Sequence, residues 1–308
     1  MVFSIELDGA AARRYPLRVP SMLPLTERDF LAQAGTGVTT WRGADTVWRL
    51  WGPRSDPADR SPVVLFHGGS GSWTHWCHAI RPLVESGRAV WVPDLPGFGE
   101  SDVPEGGDAD ALVDPLNHGL IQVAGGAPVD LVGFSFGGMT AGMLAAAHPD
   151  RVGRLVLVGA PAMGVVPERQ FSLKGWRHLR TPAEREAVHR HNLAALMFHD
   201  PDRIDALALE IHVMNVTRDR MPRRRLSATD ILARALREVR CPVQAIYGAH
   251  DALYRAWIAA LEAAFVTSAR DFRGLVLIPD AGHWVQQEAP LAFNEVLARV
   301  LADADRAN

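Results

Sequence analysis

The chain has 308 residues, of which 48% are hydrophobic and 22% charged, and a formal net charge of -3. That balance belongs to an ordinary folded protein; it excludes a long disordered chain and supplies no global basic field for nucleic acid. The length suits one core domain carrying an insertion.

Met1 to Pro20 lacks the basic flank and apolar core of a signal peptide, and no stretch approaches the ~18 apolar residues of a membrane span. A cytoplasmic protein that does not bind membrane is therefore expected. Residues 1–37 are poorly patterned and, with Pro16, Pro20 and Pro24, are expected to lie across the surface. Val38–Trp41 and Thr46–Trp51 flank Gly43-Ala44-Asp45, the pattern of a β-hairpin. A polar loop runs on through Pro62. Val63–Phe66 is a short continuous apolar run, as in a strand buried on both faces. It ends in His67-Gly68-Gly69-Ser70-Gly71-Ser72-Trp73, whose glycines let backbone N–H groups face a ligand; a plain tight turn has the same composition. This loop has neither the lysine nor the spacing of a P-loop.

A helix over Trp76 to Gly87, with Cys77 inside it, leads to a strand at Ala89–Pro93. Asp94 then opens a turn-rich loop and is expected to hold it by accepting backbone N–H groups. A helix around Ala111 to Val123 precedes the run Val129–Phe134, which stops at Ser135 between Gly133 and Gly137 and continues as a helix to His148. Strand, sharp turn and helix around a serine boxed by glycines make a nucleophile elbow; a helix-capping serine after any strand gives the same letters. Arg154–Val158 is another buried strand. Strands alternating with helices predict an α/β class with a mostly parallel sheet.

From about Gly164 to Arg240 the alternation breaks, and only helical segments follow: Pro182–Phe198, Asp202–Val213 and Ala228–Val239. Residues 167–240 hold 15 Arg plus Lys against 10 Asp plus Glu, so this stretch is basic although the whole chain is acidic. Either a field for anionic ligands or a solvated arginine face accounts for it. The core resumes at Cys241 with a strand at Val243–Gly248, then His250-Asp251, a helix over Tyr254 to Phe265, a strand at Leu275–Ile278, Asp280 to Trp284, and a last helix from Leu291 to Leu301. The expected organisation is a core of residues 1–163 and 241–308 with a helical cap of 164–240. The two cysteines are read as separate buried thiols, and neither cysteine nor histidine spacing suggests a metal site.

Ser135, Asp251 and His283 thus stand at the ends of three core strands, in the order expected for a serine nucleophile, an orienting acid and a base. On these motifs the sequence resembles the α/β-hydrolase superfamily from Val38 onward. The resemblance implies an α/β-hydrolase fold, a mostly parallel eight-stranded sheet flanked by helices with an inserted cap. It also implies Ser135 as nucleophile, His283 as general base, Asp251 as orienting acid, and an oxyanion hole of the Gly69 and Phe136 N–H groups. No cofactor is called for. Gly282–Glu288, with His283-Trp284 at its centre, resembles the corresponding segment of meta-cleavage product hydrolases, which cleave carbon–carbon bonds in dienoic keto acids. Phe134 and Trp284 are the expected substrate contacts. The leading expectation is an esterase for a medium-sized, mostly apolar small molecule. A carbon–carbon hydrolase, an acyltransferase or perhydrolase, and a non-catalytic ligand-binding member of the fold stand as alternatives.

Overall fold

A computed structural model describes residues 9–53, 60–166, 171–221 and 223–302. The extreme ends of the expected core, most of the polar loop before residue 62, and residues 167–170 and 222 of the expected cap lie outside the described residues. Two short helices, α1 (Gly9–Arg14) and α2 (Leu25–Leu31), precede the hairpin of β1 (Gly35–Trp41) and β2 (Ala44–Trp51). The N-terminal stretch is more than a surface strap. Leu23 and Leu31 are buried, Tyr15 Oη–H donates to Asp45 at 2.7 Å, and Trp51 Nε1–H donates to the Leu31 carbonyl at 3.0 Å. These anchors are single side chains with no period, which is why the pattern concealed them.

Alternation then builds the sheet through β3 (Val63–Phe66), α3 (Cys77–Glu85), β4 (Val90–Pro93), α4 (Val113–Ala124), β5 (Val129–Phe134), α5 (Phe136–Ala147) and β6 (Val152–Val158). With β7 at Val243–Gly248 and β8 at Phe272–Ile278, the eight strands lie in the order β1-β2-β4-β3-β5-β6-β7-β8. β1 and β2 are antiparallel to their neighbours and the remainder are parallel. In β3, Val63 and Leu65 enter one apolar cluster while Val64 and Phe66 enter the other, because successive side chains point to opposite faces. Both faces being covered, β3 reads as an unbroken apolar run, and β5 is interrupted only near its start by Asp130, which pairs with the buried Arg88.

Between β6 and β7 (Val243–Gly248) the described residues form no strand. α6 (Pro182–Asn192) begins with a capping box in which Thr181 and Glu184 satisfy one another's backbone N–H groups, and a wider turn, Leu193–Met197, extends it. α7 (Ala206–Val216) starts on Asp205, whose side chain accepts the Ala208 N–H. α8 (Ile231–Leu236), expected as part of the cover, instead packs on α5: a Cβ placed on Gly142 would lie 2.2 Å from Leu232 Cδ1. Leu232, Ala233 and Leu236 belong to the same cluster as Ala141 and Leu144.

The chain closes with α9 (Ile258–Ser268), β8 (Phe272–Ile278), α10 (Val285–Glu288) and α11 (Pro290–Ala302). α9 starts later than the apolar pattern suggests. Asp251 first winds the chain about itself, its carbonyl accepting the Tyr254 and Arg255 N–H groups and its Oδ1 that of Leu253. Cys77 and Cys241 are buried and free, and burial pushes both thiols up to about 12. No helix of the described residues is long and apolar enough to cross a membrane.

Candidate active site

Ser135 sits at φ 51° and ψ -121°, a conformation that L residues seldom hold, at the junction of β5 and α5. Its N–H donates to the Val158 carbonyl at 2.7 Å and its carbonyl accepts from Gly138 and Met139, so the strain is held from both sides. The flanking glycines answer to different neighbours. A Cβ on Gly133 would lie 2.6 Å from the Gly137 carbonyl oxygen and Gly138 Cα, whereas one on Gly137 would lie 2.3 Å from the His67 carbonyl oxygen at the end of β3. The turn thus lifts Ser135 Oγ above the strand ends.

His283 and Asp251 reach it from the loops after β8 and β7. The His283 Nδ1–H donates to Asp251 Oδ2 at 2.8 Å, which leaves Nε2 to accept the Ser135 Oγ–H, also at 2.8 Å. Asp251 and His283 are buried and Ser135 is half-buried, open to a cavity. Gly159, at the end of β6, seats the pair: its φ is 54°, and a Cβ there would lie 3.2 Å from the His283 ring and 3.3 Å from Asp251 Oδ2. The cavity, of about 270 Å³, is bounded on one side by Gly69, Phe134 and Phe136 and on the other by apolar residues such as Met163, Phe171 and Leu196.

Two histidines grip the loop after β3. Leu95 N–H donates to His67 Nε2 at 2.8 Å, so the ring proton is on Nδ1, which donates to the Gly68 carbonyl at 2.8 Å. Gly68 N–H in turn donates to His75 Nδ1 at 3.2 Å. In a trans peptide the Gly69 N–H points opposite to the Gly68 carbonyl, hence away from His67. Among the described residues no partner is recorded for the N–H of Gly69 or of Phe136. Both rings are neutral acceptors because burial lowers their affinity for a proton, His75 well below the ordinary imidazole range. Asp94 holds the neighbouring turn as expected, accepting the Trp73 and Glu100 N–H groups at 2.9 Å each.

Residues 61–290 match the family model of the alpha/beta hydrolase fold. The chain belongs to that family. The hydrolase is 28% identical over 300 residues, covering 89% of this chain and 98% of the relative, to a 2-hydroxy-6-oxononadienedioate/2-hydroxy-6-oxononatrienedioate hydrolase of Cupriavidus pinatubonensis. It is 26% identical over 266 residues (81% of this chain, 90% of the relative) to a 2-hydroxy-6-oxo-6-phenylhexa-2,4-dienoate hydrolase of Burkholderia cepacia. In fold it is similar to a putative aryl esterase from Burkholderia cenocepacia, with a TM-score of 0.70 at 24% identity over 88% of this chain and 99% of the other. The resemblance to meta-cleavage product hydrolases and the mostly parallel eight-stranded fold therefore hold, and the hydrolase is an enzyme whose relatives act on small molecules.

The two expected substrate contacts part company. Phe134 lines the cavity, although most of its ring is packed between His75, Trp76 and His283. Trp284 is fully buried, is not on the wall of that cavity, and rests against His75 and Phe198; its backbone N–H donates to the Met197 carbonyl at 2.8 Å. It is a packing residue between the His283 loop and the helices above. His250 stacks on His199 at 3.7 Å rather than approaching Ser135.

Sequence reasoning missed Glu288 and Arg224. The Glu288 carboxylate accepts the N–H groups of His199, Asp200 and Gly282, tying the His283 loop to the chain after α6. Arg224 pairs with Asp219 and donates to Ser70 Oγ at 3.0 Å, which brings its guanidinium to 2.9 Å from where a Cβ on Gly69 would be. Glu288 closes the Gly282–Glu288 segment but was given no role there, and only the strongly basic run Arg223-Arg224-Arg225 hinted at Arg224.

Proposed function

We propose that the protein hydrolyses a carboxylic ester of a medium-sized, mostly apolar substrate through an acyl-enzyme on Ser135. The observation that carries this reading is the pair of 2.8 Å hydrogen bonds linking Ser135, His283 and Asp251 at the wall of an apolar cavity. His283 Nε2 takes the hydroxyl proton as Ser135 Oγ attacks the carbonyl carbon, and Asp251 stabilises the imidazolium that forms. The Gly69 and Phe136 N–H groups donate to the oxyanion. Collapse of the tetrahedral intermediate breaks the bond to the leaving alcohol, which receives the proton from His283. Water, deprotonated by the same ring, then attacks the acyl-enzyme and releases the acid and Ser135. The described residues between 164 and 230, with α6 and α7, act as the cover that keeps bulk water from the acyl-enzyme, while α8 belongs with the core.

The test is hydrolysis of 4-nitrophenyl butyrate. Wild type is expected to turn it over, and Ser135→Ala to lose about 10⁴-fold or more in kcat; equal rates for the two proteins overturn the proposal. A second reading, cleavage of a carbon–carbon bond in an anionic dienoic keto acid, is favoured by the dienoate and dienedioate hydrolases that the chain resembles over most of their length. Ser135-dependent loss of visible absorbance on mixing with such a dienoate would move the assignment there.

A further inference from the structure

The loop after β3 is gripped from two sides. From the core, His67 and His75 hold the carbonyl and the N–H of Gly68. From the insertion between β6 and β7 come three further side chains. Asn215, buried on α7, accepts the Ser72 Oγ–H at 2.7 Å and donates from Nδ2 to Thr74 Oγ1 at 3.0 Å. Asp219 accepts the Ser70 Oγ–H at 2.5 Å, and Arg224, paired with Asp219, donates to the same Ser70 oxygen at 3.0 Å. The Ser70 hydroxyl thus both donates to and accepts from the insertion.

Asp219 is itself firmly placed. Its Oδ1 accepts the Met221 N–H at 3.2 Å, and the next residue, Arg220, fastens this stretch to the loop after β4: its N–H donates to the Gly97 carbonyl at 2.9 Å and its guanidinium to the carbonyls of Gly99 and Ser101 at 2.8 and 2.6 Å. Ser70, in contrast, has a φ of 50°, which a residue with a side chain keeps only when its surroundings impose it. Before it stand Gly68 and Gly69, and the peptide between two glycines turns with little steric penalty. That peptide carries the Gly69 N–H. His67 restrains its carbonyl edge, and Ser70 sets where the chain goes next. Gly69 also makes room for the clamp, since a Cβ there would lie 2.9 Å from Arg224 Nη1.

We propose that Asp219 is a positioning residue for the oxyanion hole: through Ser70 it fixes the direction of the Gly69 N–H, so that the insertion completes the donor pair as well as covering the cavity. This rests on the reading of Ser135 as nucleophile and assigns that site a further residue. Asp219 is not on the wall of the cavity beside Ser135, so it contributes nothing directly to holding the apolar body of the substrate. A donor aimed at the oxyanion acts on the transition state more than on the bound ester. Loss of the link therefore falls on kcat and spares KM.

The experiment is a double-mutant cycle on 4-nitrophenyl butyrate. Asp219→Ala is expected to lower kcat by about 10- to 100-fold with KM within about twofold, and Ser70→Ala to do the same. Because both substitutions break one link, the double variant Ser70→Ala/Asp219→Ala falls no more than about threefold below the slower single variant. Unchanged kcat in either single variant, a loss confined to KM, or losses that multiply in the double variant overturns the proposal. Should Asp219→Ala fail to fold, Ser70→Ala decides by the same division between kcat and KM. If wild type hydrolyses no ester faster than Ser135→Ala, the nucleophile assignment falls instead, and the link is judged by hydrogen exchange. The fragment spanning residues 67–75 then exchanges about tenfold faster in Asp219→Ala than in wild type, with the fragment around Phe136 unchanged, if Asp219 holds the loop, and at equal rates if it does not.

Discussion

Gly159 has no chemistry of its own, yet it touches both members of the His283–Asp251 pair. A methyl group there meets the imidazole at 3.2 Å and must also accept a φ of 54°, so two penalties fall on one atom. Gly159→Ala is expected to lower kcat on 4-nitrophenyl butyrate by about 10- to 100-fold through displacement of the ring, with less than about twofold change in KM. Unchanged kcat would show that the pair yields freely. His75 bears on the other half of the site. Removing its Nδ1 leaves the Gly68 N–H buried and unpaired, at a cost of about 1–3 kcal/mol, and loosens the residue that immediately precedes the peptide carrying the Gly69 N–H. His75→Leu is therefore expected to weaken binding of a boronic-acid transition-state analogue more than binding of the product acid. Equal weakening of both would mean that His75 supports only the pocket wall.

At the scale of elements, the joint between the 193–205 segment and the His283 loop combines the Trp284 N–H to Met197 carbonyl bond with one carboxylate. Glu288 lies on a single turn of helix, too short to be stable alone, and gathers N–H groups from both the 199–200 segment and Gly282. Gln at this position keeps the shape but exchanges charged acceptors for a weaker one and a misplaced NH₂. Glu288→Gln is expected to lower the melting temperature by about 2–4 °C, measured by calorimetry against Glu262→Gln on the exposed face of α9. Equal melting temperatures would remove Glu288 from this role. The same joint explains Trp284. Aromatic character and a place next to His283 suggested a substrate contact, but a buried ring between two segments of chain is used for packing.

For the whole molecule, buried neutral histidines set the response to acid. Burial lowers His67 and His75, and His212, facing His189 across the α6–α7 contact, is lowered to about 4 by burial and by its neighbour. Below about 6.5 the unfolded chain takes up protons at these positions that the folded chain refuses. The unfolded state then binds more protons, and stability falls as the pH drops from about 6.5 towards 4. Calorimetric melting temperatures should decline through that window, and less steeply for His212→Gln. A flat profile, or one unchanged by the substitution, counts against this assignment.

Local pattern carries far in this chain. Strand runs such as Val63–Phe66 are legible because burial on both faces demands apolar sequence, and the Ser135 elbow because Gly133 answers a steric need within five residues, although Gly137 answers to His67 on another strand end. The alternation of strands and helices similarly specified the sheet. By themselves the residues of the sequence determined the class of fold, the break after β6, and three chemically apt groups at strand ends. What only the tertiary structure decided are contacts between segments far apart in the chain, which leave no period: α8 on α5, Glu288 on the 199–200 backbone, Gly159 under His283, and Arg224 beside Gly69. Side-chain periodicity reports which face of an element is buried; the partner buried against it is set by how the chain packs in three dimensions.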